Sequence, residues 1–126
     1  MRYFLLLVAI CFYTGLAAQD TTYTRVELFF GLSDHGKKIP GRKWSAFVNE
    51  YITPAFPDGL TITNAYGQWR EKDGAITRER SRVVTIICKK DAAATDRIDH
   101  IRKAYCERFH QSSVLEVDSR PSLISF

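Results

Sequence analysis

The stretch 60–89, LTITNAYGQWREKDGAITRERSRVVTIICK, decides the fold. It holds two runs rich in β-branched and aromatic residues, which pack well on a pleated surface, joined by EKDGAI. Asp73-Gly74 supplies the residues that a tight hairpin turn needs, because Gly enters the left-handed region without steric cost. Leu60–Arg70 and Thr77–Lys89 are therefore predicted to be antiparallel partners. Gly67, inside the first run, predicts a bulge or the close approach of another group.

Working outward, TRVELFFGL at 24–32 is a further strand, with Val26, Leu28 and Phe30 on one side and Arg25, Glu27 and Phe29 on the other. The following SDHGKKIPG is polar and reads as a turn, and it includes the Ser33-Asp34-His35 run. Trp44, Phe47, Val48, Tyr51 and Ile52 then recur at the spacing of one helical face, between Pro40 at the start and Pro54 at the end. AFPDG is a turn by composition and leads into the hairpin. Beyond it, Ile98, Ile101, Tyr105 and Phe109 form the apolar stripe of a second helix that Thr95 is expected to cap. SSVLEV is predicted to be a fourth strand, with SLISF as an extended piece after Pro121.

The order β-α-β-β-α-β is that of a ferredoxin-like α+β sandwich, an antiparallel sheet with two helices on one face. Val26, Leu28 and Phe30 should face the helices. Glu27 and Phe29 then belong to the open face, where a carboxylate beside an aromatic needs water or a partner. That face is the expected functional surface.

At the other end of the chain, MRYFLLLVAICFYTGLAAQD combines Arg2, an apolar run from Tyr3 to Tyr13 and then small residues. This is the pattern of a secretory leader. The run is shorter than the roughly 20 residues that span a bilayer, so cleavage near Ala17 or Ala18 is expected, with no stable membrane span afterwards. The reading is a signal peptide at 1–17 and one α+β domain at 18–126, exported to the periplasm or secreted. Removing Arg2, the one charged residue of the leader, takes the formal charge from +4 to +3. Charged residues make up 25% and hydrophobic ones 45%, an ordinary globular balance that argues against disorder. A nucleic-acid partner is not expected of an exported chain.

Cys11 leaves with the leader, so Cys88 and Cys106 are the cysteines of the mature chain, either as one disulfide or as free thiols. Cys106 and His110 stand four apart on a helix, a metal-ligand spacing, but no further ligand adjoins them in sequence and no metal is expected. Arg78, Arg80 and Arg82 alternate along one strand face, which suits a solvated edge or an anion site. No nucleotide-binding or zinc-protease motif is present, and no cofactor is expected. Glu27 and Glu79 are candidates for acid and base work if they share a face on adjacent parallel central strands; a structural ion pair with Arg70, Arg80 or Arg102 explains the same residues.

ELFFGL, ITPAFPDGLT, GQWR and IRKAYCERFHQSSVL, in this order, resemble the bacterial family called domain of unknown function 3574, over about Thr24 to Phe126. The resemblance implies an exported single-domain protein and no established activity. Carried over by motif, the positions of interest are Glu27 in ELFFGL, Gln68, Trp69 and Arg70 in GQWR, Glu79 in RERS, and Arg102, Tyr105 and Gln111 in the last helix. Trp69 suits either ligand stacking or packing. Two functions follow as expectations. One is a cell-envelope module that binds a small ligand or a protein through the open face, with a homodimer as one arrangement. The other is a small enzyme acting on an anionic molecule through Glu27 or Glu79 with an arginine.

Overall fold

The computed structural model describes residues 23–122, 124 and 125. The expected leader at 1–17 and parts of SLISF lie outside the described residues. Four strands, β1 (Tyr23–Gly31), β4 (Thr61–Arg70), β5 (Ile76–Lys89) and β6 (Leu115–Ser119), form one sheet in the order β4-β5-β1-β6. Every neighbouring pair is antiparallel. β1 and β5 are thus central but opposed, which corrects the expectation of parallel central strands. A chain that returns through a hairpin and a helix on one face leaves these two strands running in opposite directions.

The hairpin turns at Asp73-Gly74 as predicted. Gly74 has φ +90°, Glu71 N–H donates to the Ala75 carbonyl, and Asp73 accepts from Ala75 N–H. The register of β4 against β5 runs without interruption through Gly67 opposite Glu79, and a Cβ at Gly67 would meet nothing nearer than the Glu79 carbonyl at 3.9 Å. The expected bulge or close approach is therefore absent at Gly67. The hairpin also outreaches the sheet. β1 pairs with β5 from Lys89 only as far as Ser81, so Ile76–Arg80 and their β4 partners project beyond β1 as an arm.

Alternation on β1 buries Val26, Leu28 and Phe30 completely, against Val84 and Ile86 of β5. The first helical segment covers them. α1 (Gly41–Phe47) begins at Pro40, passes through a π-helical turn at Val48–Ile52 and ends as α2 (Thr53–Ala55). Trp44, Phe47, Val48 and Ile52 are its buried face. α3 (Ala92–Phe109) adds Ile98, Ile101, Tyr105 and Phe109. Phe30 lies edge-on to Tyr105 at 4.7 Å and to Trp44 at 5.3 Å, so both helices and the sheet meet in one aromatic cluster.

Asp91, not Thr95, caps α3, its carboxylate accepting from Ala94 N–H. The Ala92-Ala93-Ala94 run is strongly helix-favouring, so the helix starts a turn earlier than its apolar stripe. The 33–38 turn also carries more structure than expected. β2 (Ser33–Asp34) and β3 (Lys37–Lys38) pair as a miniature hairpin around His35-Gly36, both with positive φ. Cys88 and Cys106 are free and half-buried. Burial raises the Cys88 thiol pKa, so it is a poor nucleophile.

Candidate functional site

Gly31 ends β1 in front of β5 residue Ser81, and Glu79 lies two residues further along that strand on the same open face. Because Gly31 carries no side chain, the polar groups of its neighbours close over it. The position of a Cβ there is only 2.8 and 2.9 Å from the two carboxylate oxygens of Glu79 and 2.8 Å from Gln111 Oε1. Ser33 Oγ donates to Glu79 at 2.6 Å, and the Gln111 amide donates to the Ser33 carbonyl. From beneath, the Tyr105 hydroxyl donates to the Gly31 carbonyl at 2.6 Å. Burial, with the negative charge of Glu79 as a second cause, pushes the Tyr105 pKa well above the usual phenol range.

The structure thus gathers Glu79, Tyr105 and Gln111 around Gly31 and Ser33. Glu79 accepts from a hydroxyl, and no arginine pairs with it among the described residues, contrary to the ion pair expected with Arg70, Arg80 or Arg102. Strand alternation is the reason. Glu79 belongs to the open face, whereas Arg78, Arg80 and Arg82 belong to the opposite one. Gly31 and Ser33 carried no separate signal beyond the glycine in ELFFGL and the polar turn after it.

The other positions lie elsewhere. Glu27 pairs with Arg25 at 2.8 Å and stands opposite Thr85. Thr85 is six residues from Glu79, about 20 Å along the strand, which separates the two carboxylates too far for joint acid and base work. Gln68 accepts from Arg78 at 2.9 Å, and Trp69 Nε1 donates to Glu71 at 2.7 Å, so both serve the projecting arm. Trp69 remains 44% exposed, and Arg70 is exposed at the tip. Arg102 bridges α3 to β6, reaching Glu116 at 2.9 Å, Asp99 at 3.1 Å and the Val114 carbonyl at 3.1 Å. These contacts tie α3 to β6.

Two further surfaces border the site. Under the arm, a cavity of about 300 Å³ is lined by Arg80, Arg82, Lys38, Tyr66, Asn64 and Trp44 among others. Arg80 lies 5.8 Å from the centre of the Tyr66 ring. On the open face, Val83, Phe29 and Leu115 stand side by side across three strands, with Val117 in the adjoining row opposite Glu27.

A family model described as Protein of unknown function (DUF3574) matches residues 25–126. No curated protein matches the chain. Among solved structures, a phage SAM lyase in complex with S-methyl-5'-thioadenosine is similar with a TM-score of 0.63 at 16% identity, over 86% of this chain and 88% of that one. The same description in an apo state gives 0.59 at 17%, over 82% and 84%. CutA from Synechococcus elongatus PCC7942 gives 0.52 at 14%, over 81% and 80%. Likeness at these identities establishes the shared ferredoxin-like α+β fold.

Proposed function

The chain belongs to the family described as Protein of unknown function (DUF3574), and from that premise we propose that it is an exported binding module of the cell envelope whose open sheet face is covered by a second copy. One observation carries the reading. The Val83-Phe29-Leu115 row and Val117 form an apolar strip on the face turned away from the described helices, which pack over Val26, Leu28 and Phe30. Leu115 is 58% exposed and Val117 40%, although alternation along a solvated strand would put polar residues there. Export rests on the leader at 1–17, and no helix among the described residues is long and apolar enough to cross a membrane.

Sedimentation velocity of the mature chain tests self-association. A dimer that dissociates in Leu115→Asp and Val117→Asp, with folding retained by circular dichroism, is expected. A wild-type chain that stays monomeric up to high micromolar concentration overturns this reading.

A second reading is favoured by Glu79. Its carboxylate faces the open side without an arginine partner among the described residues, which leaves it available as an acid or base toward a small molecule, and a SAM lyase has the same fold. Incubation with a panel of small molecules that includes SAM, with release of S-methyl-5'-thioadenosine as one readout, tests it. Turnover that disappears in a folded Glu79→Gln variant supports an enzyme. Turnover unchanged by Glu79→Gln excludes Glu79 as its catalytic group.

A further inference from the structure

Asp34 and His35 belong to the miniature β2-β3 hairpin, and His110 ends α3; 76 residues separate Asp34 from His110, yet Asp34 Oδ1 and His110 Nδ1 are 2.9 Å apart. The imidazoles of His35 and His110 have centres 4.3 Å apart, with their planes tilted by 31°. One ligand atom from each of the three side chains falls within 4.8 Å of the other two. A tetrahedral metal bonded at about 2.0–2.2 Å holds its ligand atoms about 3.3–3.6 Å apart, so no pair of this set needs to close by more than about 1.5 Å, a shift that side-chain torsions can supply. Both rings are exposed and have room for that rotation.

The backbone at the two histidines adds a second argument. His35 has φ +47° and His110 φ +50°, and they are the only non-glycine residues with positive φ among those described. His35 occupies the first central position of a two-residue hairpin turn, where Asn, Asp or Gly is the ordinary choice. His110 occupies the left-handed position that closes a helix, where Gly or Asn is the ordinary choice. Both positions therefore carry an imidazole where a smaller residue fits the backbone more easily. The C-terminal end of an 18-residue helix also places partial negative charge beside His110, which favours a bound cation.

We propose that Asp34, His35 and His110 bind one divalent transition-metal ion. Two imidazoles and one carboxylate suit Zn²⁺, Ni²⁺ or Cu²⁺ and not the oxygen-preferring Mg²⁺ or Ca²⁺. Three protein ligands leave at least one coordination position to water or to an added anion. Lys37, Lys38 and Lys43 line the adjoining recess of about 360 Å³. Their charges oppose a bare dication and favour an anion at its open position. The site adjoins the Glu79 cluster through the chain neighbours Ser33 and Gln111 but uses none of its side chains.

Isothermal titration of the tag-free mature chain with Zn²⁺ tests the proposal, using Asp34→Asn, His35→Asn and His110→Asn, since Asn tolerates the left-handed backbone. One equivalent is expected, with affinity at least about tenfold lower in each variant and unchanged in Cys88→Ala. Electron paramagnetic resonance of the Cu²⁺-loaded wild type should show coupling to two imidazole nitrogens, and this readout stands even if a variant fails to fold. Absence of saturable one-to-one binding, retention of wild-type affinity in the histidine variants, or a Cu²⁺ spectrum without coordinated nitrogen overturns the proposal.

Discussion

The Tyr105 hydroxyl and the Gly31 carbonyl are joined by a 2.6 Å hydrogen bond that ties the last turns of α3 to the end of β1. Tyr105→Phe leaves that carbonyl without its partner and should cost about 1–3 kcal/mol at neutral pH. The phenol pKa is raised above its ordinary 10.0, so the native state keeps the proton that an unfolded chain releases. Its contribution is fully present below pH 10.0 and falls as pH rises through the higher native value. Urea denaturation at pH 8 to 12 should therefore show a smaller alkaline loss in Tyr105→Phe than in the wild type. Equal slopes would contradict this.

Gly31→Ala forces the Glu79 carboxylate and the Gln111 amide away from positions 2.8 Å from the new methyl group. Both belong to side chains that can move, so the expected loss is about 1–3 kcal/mol without collapse of the fold. Combining it with Gln111→Ala should recover part of that loss, as a thermal-melt double-mutant cycle would show. Strict additivity would mean that Gln111 does not crowd Gly31.

Arg102 is expected to act in stability alone. Arg102→Ala removes contacts to Glu116, Asp99 and the Val114 carbonyl, and should lower stability by about 1–2 kcal/mol. Self-association and Zn²⁺ binding of the folded variant should match the wild type. A selective loss of either would reassign the residue.

The helix start offers a sharper comparison. Asp91→Ala should cost about 0.5–2 kcal/mol through loss of the cap on Ala94 N–H. Thr95 sits inside the helix, where its hydroxyl bonds the Asp91 carbonyl, and Thr95→Ala should stay within about 0.5 kcal/mol. Chemical denaturation that ranks Thr95 above Asp91 would reverse this assignment.

Much of the fold was legible because local rules and tertiary packing agree. Asp73-Gly74 turns the hairpin, the Val26, Leu28 and Phe30 alternation faces the helices, and the Ile98, Ile101, Tyr105 and Phe109 stripe packs against them. Helix starts were less legible, since the apolar stripe of α3 begins inside the helix. The candidate site was legible as residues but not as an assembly. Glu79, Tyr105 and Gln111 come from separate motifs and meet only because a side-chain-free Gly31 lets them. Asp34, His35 and His110 were harder still. Each reads locally as turn or helix end, and only the return of α3 beside the β2-β3 hairpin unites them.

Among the described residues, the arm that projects past β1 leaves one backbone edge of β5 without a neighbouring strand from Ile76 to Glu79. Such an edge is a template on which another chain can crystallise into a continuous ribbon. Here the charge order resists it. Antiparallel docking of two arms centred on Glu79 would set Glu79 against Glu79 and Arg78 against Arg80, and like charges directly opposite repel. In that symmetric register the alternating charges disfavour docking of two arms, and neutral substitutions at Arg78 and Arg80 would remove the repulsion.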